Sequence, residues 1–109
     1  MALAQRPQVL LLDEPTTFLD LNHQLEVLDL VRYLNREHGL TVVMVLHDLN
    51  QAARYAGRVV VLKAGSIYGD GAPEAIITPT TLREVFGVEG HIMRGPDGTS
   101  MVVVPIGRV

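Results

Sequence analysis

The sequence predicts an α/β fold in which buried strands alternate with helices. The solid apolar run at residues 9–12 is typical of a strand covered on both faces in a parallel sheet, and residues 40–46, rich in β-branched residues, indicate a second buried strand. Between the first two runs, apolar residues recur at steps of three and four, the period of an amphipathic helix. The order strand, helix, strand, helix, strand indicates a sheet with right-handed crossovers.

The first strand, residues 9–12, ends abruptly at two acidic residues and a proline. The helix that follows is predicted over residues 21–38, with Asp20 or Asn22 as its N-cap and Gly39 as its stop. Its apolar face consists of Leu21, Leu25, Leu28, Val31 and Leu34.

The middle of the chain continues the alternation. Residues 40–46 form the second strand, residues 48–56 a short helix, and residues 58–63 a third strand. Ala64-Gly65 then turns the chain back into residues 66–68, which predicts a hairpin.

The alternation of strands and helices ends after Gly71, and two short helices are predicted there. They cover residues 73–77 and 79–86, each with proline in its first turn, and Thr78 is the expected cap of the second. Residues 91–104 then form a closing hairpin around a Gly-Pro-Asp-Gly turn.

Composition narrows the class of protein. A chain of 109 residues with 48% apolar content is at most one domain with a real core. The absence of cysteine excludes a disulfide framework, and a net charge of −3 without a basic run gives little support to a nucleic-acid surface. Apolar runs of about five residues are far short of the roughly twenty that span a bilayer. With no secretion signal at the start, a cytoplasmic chain is expected.

Polar side chains follow two of the predicted strands at the same edge of the sheet. Asp13 and Glu14 come directly after the first strand, and His47 follows the second. One carboxylate there can hold Mg²⁺ through its water shell, and its neighbour can orient or deprotonate a water. A neutral imidazole can donate a hydrogen bond to a phosphate oxygen. The alternatives are an acidic turn that caps the next helix and a polar strand end.

The remaining histidines, His23, His38 and His91, have no acidic or histidine partner at metal-binding spacing. They are therefore expected at the surface.

Four segments in order resemble motifs of ABC ATPases. Residues 10–15 resemble a Walker B motif with its adjoining glutamate, residues 17–20 the D-loop, and residues 46–48 the switch-histidine segment. Residues 1–6 are similar to the end of the helix that follows the LSGGQ signature. Each motif alone is weak evidence for this family, but the four motifs in this order are specific to it. The resemblance implies a partial P-loop NTPase sheet of the RecA-like type, followed by a small α+β tail.

The stretch EPTTFLDLNHQLEVLDLV and the later HDLNQAARYA are similar to the ATPases of ferric-siderophore and vitamin B12 importers. Thr17 and Phe18 depart from the commoner Ser-Ala-Leu-Asp loop in the way associated with the siderophore branch. Residues 1–71 would be the C-terminal portion of the ATPase core, and residues 72–109 its C-terminal helices and hairpin.

The resemblance also implies roles for individual residues. Asp13 would act in Mg²⁺ coordination, Glu14 would polarise the attacking water, and His47 would contact the γ-phosphate of ATP. Asp20 would communicate with a second ATPase subunit across a dimer. The complete protein would bind ATP and Mg²⁺ and work with membrane permease subunits at the inner face of the cell membrane.

The nucleotide-holding motifs are absent from the 109 residues: there is no GxxxxGK[ST], no LSGGQ and no glutamine loop. We therefore expect a truncated chain that binds nucleotide poorly by itself and associates with itself through exposed strand edges.

Two alternatives remain open at this point. One is a non-enzymatic partner or regulatory module derived from such an ATPase. The other is an ABC-type ATPase of DNA maintenance, which would usually carry a long coiled coil and a basic surface.

Overall fold

The structure is a computed structural model that describes residues 9–109. These residues form β1 (Val9–Asp13), α1 (Leu21–His38), β2 (Thr41–Val45), α2 (Leu49–Tyr55), β3 (Val59–Lys63), β4 (Ser66–Gly71), α3 (Pro73–Ile76), α4 (Pro79–Phe86), β5 (Val88–Arg94) and β6 (Met101–Arg108). The chain divides into two compact units, one that ends at His47 and one that begins at Asp48. The helix end expected at residues 1–6 lies outside the described residues.

The unit that ends at His47 is a parallel strand pair joined by a crossover helix. β1 pairs with β2 so that Leu11 lies beside Val43 and Asp13 beside Val45. Parallel neighbours need a long connection, and α1 supplies it. The predicted strand–helix–strand order is confirmed.

The ends of α1 are set by side-chain and backbone chemistry. The Asp20 carboxylate accepts a hydrogen bond from the backbone N–H of His23, and Gly39 closes the helix in the left-handed conformation at φ 64°. Glycine adopts that conformation without the steric penalty of a side chain. Both ends agree with the prediction from sequence.

The prediction that β1 and β2 are covered on both faces is wrong for the described residues. Exposure alternates along both strands, and the outer face carries four apolar side chains that are 50 to 72% exposed: Val9, Leu11, Val43 and Val45. A single helix can cover only one face of a strand pair, so the other face is left open.

The apolar face of α1 is also buried only in part. Leu28 and Val31 are buried, whereas Leu21 and Leu25 near the start of the helix are exposed. The helical period therefore predicted the face correctly but overestimated the length of its buried section.

The unit that begins at Asp48 contains α2, a hairpin and the C-terminal elements. β3 and β4 are antiparallel, and Ala64 and Gly65 join them with φ angles of 50° and 80°. Two consecutive positive φ angles define the type I′ turn that matches the twist of a two-residue hairpin. Within the described chain, the parallel pairing is thus limited to β1 and β2.

The core of this unit lies where α4 packs on the β5–β6 hairpin. Ile77, Leu82 and Val103 are buried together. The side-chain amide of Asn50 in α2 forms two hydrogen bonds with the backbone of Val103 in β6, at 2.6 and 3.2 Å. The predicted helices, the Thr78 cap and the closing hairpin are confirmed. The domain boundary expected between residues 71 and 72 stays a prediction.

Candidate functional site

Glu14 and His47 meet at the carboxyl edge of the parallel pair. The His47 Nε2 atom and the Glu14 Oε1 atom are hydrogen-bonded. The backbone N–H of Glu14 donates to the carbonyl of Val45 at 2.9 Å, which continues the ladder one residue past β1. Parallel strands end at the same edge, and this geometry brings together two residues that are 33 positions apart.

The pair is accessible to a ligand. The side chain of Glu14 is 37% exposed and that of His47 is 77% exposed. A carboxylate oxygen can accept a proton or orient a water, and an imidazole N–H can donate to an anionic oxygen. The two side chains thus lie together and exposed at the strand edge where the sequence placed them. Their catalytic roles stay predictions.

Asp13 ends β1 immediately before this pair, and its side chain is exposed. Across residues 9–109, no group of three or more His, Cys, Asp or Glu residues is arranged to hold a metal ion alone. In nucleotide sites, however, Mg²⁺ needs only one or two carboxylates because waters and phosphate oxygens complete its shell. Asp13 fits the role of such a single carboxylate, whereas the described residues do not form a complete metal site.

Asp20 has a different environment from the other candidates. Its Oδ1 atom accepts from the backbone N–H of His23 at 2.9 Å and lies 2.7 Å from the His23 ring Nδ1. His23 is exposed, as expected, but Asp20 is an acidic neighbour of it, because one helical turn brings positions i and i+3 together. In this structure Asp20 caps α1, and its carboxylate forms its hydrogen bonds with His23.

Sequence reasoning missed Gln24. Its Nε2 atom donates to the carbonyl of Thr16 at 3.3 Å and to the carbonyl of Leu19 at 3.0 Å. A glutamine near the start of a helix is normally predicted to be a surface residue. Its closeness to the Asp20 cap was the one sequence feature that indicated this contact.

No protein-family model matches the chain, but known proteins are similar to it over most of its length. The petrobactin import ATP-binding protein FpuC of Bacillus anthracis is 55% identical over 97 residues, which are 89% of this chain and 36% of that protein. The ferric enterobactin transport ATP-binding protein FepC of Escherichia coli is 46% identical over 108 residues, 99% of this chain and 40% of that protein. The chain is homologous to part of the ABC importer ATP-binding subunits.

Solved structures agree with this assignment. An ABC transporter of the metal-chelate type, in an inward-facing conformation, matches 94% of this chain with a TM-score of 0.80 and 27% identity, over 40% of its own chain. CbiO1 of Clostridium perfringens, part of the ABC transporter complex cbiONQ, matches 64% of this chain with a TM-score of 0.59 and 34% identity. The predicted fold class and the resemblance to ABC ATP-binding subunits are confirmed.

The chain spans 36 to 40% of the length of the first relatives that it matches. Across residues 9–109, no helix combines the length and the apolar character needed to cross a membrane.

Proposed function

We propose that this chain supplies the water-activating edge of an ATP-hydrolysing subunit of an ABC importer. The observation that carries the proposal is the Glu14–His47 pair at the shared edge of two parallel strands. Homology to ATP-binding subunits over 99% of the chain supports it.

Glu14 acts on the water that attacks the γ-phosphate. Its carboxylate orients the water and accepts its proton as the oxygen bonds to phosphorus and the bond to the leaving ADP oxygen breaks. His47 donates a hydrogen bond from its ring to a γ-phosphate oxygen, where negative charge is concentrated. Because the two side chains now bond to each other, they must separate for water and phosphate to enter between them.

Asp13 and Asp20 take supporting roles. Asp13 would hold Mg²⁺, which would neutralise charge on the phosphates. Asp20 lies at the start of α1, where it communicates with a second ATPase subunit. The remaining nucleotide contacts come from outside this chain, since it contains no phosphate-binding GxxxxGK[ST] loop. The chain alone is therefore inactive.

The substrate class follows from the relatives. Petrobactin, ferric enterobactin, achromobactin and iron(3+)-hydroxamate appear in the names of proteins 46 to 55% identical to this chain. We therefore propose a ferric siderophore as the cargo. The partners are a membrane permease and a second ATPase subunit, which places the protein at the cytoplasmic face of the membrane.

The test is a chimera in which this chain replaces the matching segment of the Bacillus anthracis petrobactin ATP-binding protein. The chimera should hydrolyse ATP, and His47→Ala should lower kcat by roughly 10²–10³, the cost of losing one donor to developing charge. His91→Ala, at an exposed strand position, is the matched control and should leave kcat unchanged. Full activity in the His47→Ala chimera would refute the role given to this residue.

A further inference from the structure

The loop of residues 14–20 joins β1 to α1 in a strained conformation. Glu14 has a φ of 49° and Phe18 a φ of 70°, both in the left-handed region that residues with side chains rarely adopt. Such angles persist only where the surroundings hold the backbone in place. Something must therefore keep this loop from relaxing.

Two backbone turns hold the loop from within. The N–H of Thr17 donates to the carbonyl of Glu14 at 3.2 Å, and the N–H of Leu19 donates to the carbonyl of Thr16 at 3.3 Å. Both distances lie at or beyond the long end of the hydrogen-bond range, as does the 3.3 Å bond from the Gln24 amide to Thr16, so the loop depends on several weak bonds together. The Asp20 carboxylate bonds to His23 and so fixes the start of α1.

Gln24 reaches the loop from α1. Its amide donates to the carbonyls of Thr16 and Leu19, which lie on either side of Phe18. Thr16 is buried at 7% exposure, whereas the Phe18 side chain is fully exposed. The two bonds therefore clamp the strained segment at a buried point and at the residue before the cap.

We propose that Gln24 is a positioning residue that holds the loop of residues 14–20 and so fixes Glu14 and Asp20 relative to each other. Its consequence for catalysis rests on the proposed function, whereas its hold on the loop does not. Gln24 touches neither water nor phosphate in this account; it acts through the backbone that carries the two acids.

The first test is limited chymotrypsin digestion of the chain itself, with cleavage after Phe18 as the readout. A protease cleaves only a locally opened loop, so the cleavage rate measures the fraction of chains in which the Gln24 hydrogen bonds are broken. Gln24→Glu keeps the length of the side chain but replaces the two amide donors with acceptors that face carbonyl oxygens. Cleavage after Phe18 should rise roughly tenfold, as expected for the loss of two hydrogen bonds.

The matched control is Asn22→Asp. It makes the same amide-to-carboxylate change at an exposed position in the same turn of α1. Both variants add one negative charge near the N-terminus of α1, where the helix dipole favours it. Asn22→Asp should therefore leave cleavage unchanged. Gln24→Met, which has similar length and no charge, should behave like Gln24→Glu. Cleavage equal to wild type in both Gln24 variants would overturn the proposal.

The second test separates positioning from general stability in the ATPase chimera. Gln24→Glu should lower kcat by roughly tenfold through misplacement of Glu14, with KM for ATP unchanged, since the phosphate-binding loop lies elsewhere. Faster cleavage with an unchanged kcat would overturn the positioning role. An inactive wild-type chimera would instead contradict the proposed function, and the cleavage ratio would still decide whether Gln24 holds the loop.

Discussion

Asp97 organises the turn between β5 and β6 through several hydrogen bonds to one carboxylate oxygen. Its Oδ1 atom accepts from the backbone N–H of Ser100 at 2.9 Å, from the backbone N–H of Thr99 at 3.0 Å and from the Ser100 hydroxyl at 2.8 Å. These bonds favour the charged form and lower the pKa of Asp97 to about 2. The carboxylate is thus part of the fold of this turn.

The depressed pKa predicts how the turn responds to acid. Because the folded pKa lies below the ordinary value of 3.8, the stabilisation is complete above that value and is lost as the pH falls towards about 2. We expect the amide proton shifts of Ser100 and Thr99 to titrate with a midpoint near pH 2 in an NMR experiment. A peptide covering residues 93–102 is the control and should titrate near 3.8. A midpoint near 3.8 in the folded chain would contradict the turn geometry.

The sequence predicted the closeness of Glu14 and His47 better than it predicted the contacts around them. Glu14 and His47 could be paired in advance because both directly follow parallel strands, whose ends share one edge. The His23 contact with Asp20 follows from the i, i+3 spacing of a helix start, but the Gln24 contacts with the loop depend on how the start of α1 faces the backbone before it. That orientation follows from the strained φ angles of the loop, which no sequence pattern here specified.

The outer face of the β1–β2 pair combines exposed apolar side chains with unpaired strand edges. Each of the two strands has only one hydrogen-bonded neighbour among the described residues. Leu11 is 72% exposed and Val43, beside it in register, is 51% exposed. An apolar face with open edges is a template for another strand.

We therefore expect the 109-residue chain to associate with itself in solution. Sedimentation should give an average mass that rises with concentration above the 11.9 kDa of one chain. Leu11→Lys should weaken the association by roughly tenfold, because a charge on this face blocks burial against a second strand pair. Leu30→Lys, at a 56% exposed position of α1, makes the same change away from the sheet and should have no effect. Equal association of both variants would exclude this face as the contact.

Element boundaries were predictable because local chemistry sets them. Asp20 and Thr78 cap the helices that follow them, and Gly39 and the Ala64-Gly65 turn adopt the positive φ angles that their positions require. The covering of β1 and β2 was not predictable in this way. It depends on whether other elements pack on both faces of the strands. The apolar content of a strand does not reveal that.

At the scale of the whole molecule, the proposed function is divided between this chain and the remainder of an ATP-binding subunit. The chain contains the Glu14–His47 pair at one edge of two parallel strands, and its 109 residues contain no GxxxxGK[ST] loop. Its match to 36–40% of the first relatives fits such a division. The central claim is that Glu14 activates water when the rest of the subunit binds the nucleotide.

The most direct test compares ATP binding with ATP hydrolysis in the chimera carrying Glu14→Gln. The amide keeps the shape of the side chain but cannot accept a proton, so we predict that kcat falls by roughly 10²–10⁴ while binding of a fluorescent ATP analogue is retained. Glu26→Gln, at an exposed position of α1, is the control and should leave kcat unchanged. The chain by itself should not bind the analogue. Hydrolysis at the wild-type rate in the Glu14→Gln chimera would contradict the account.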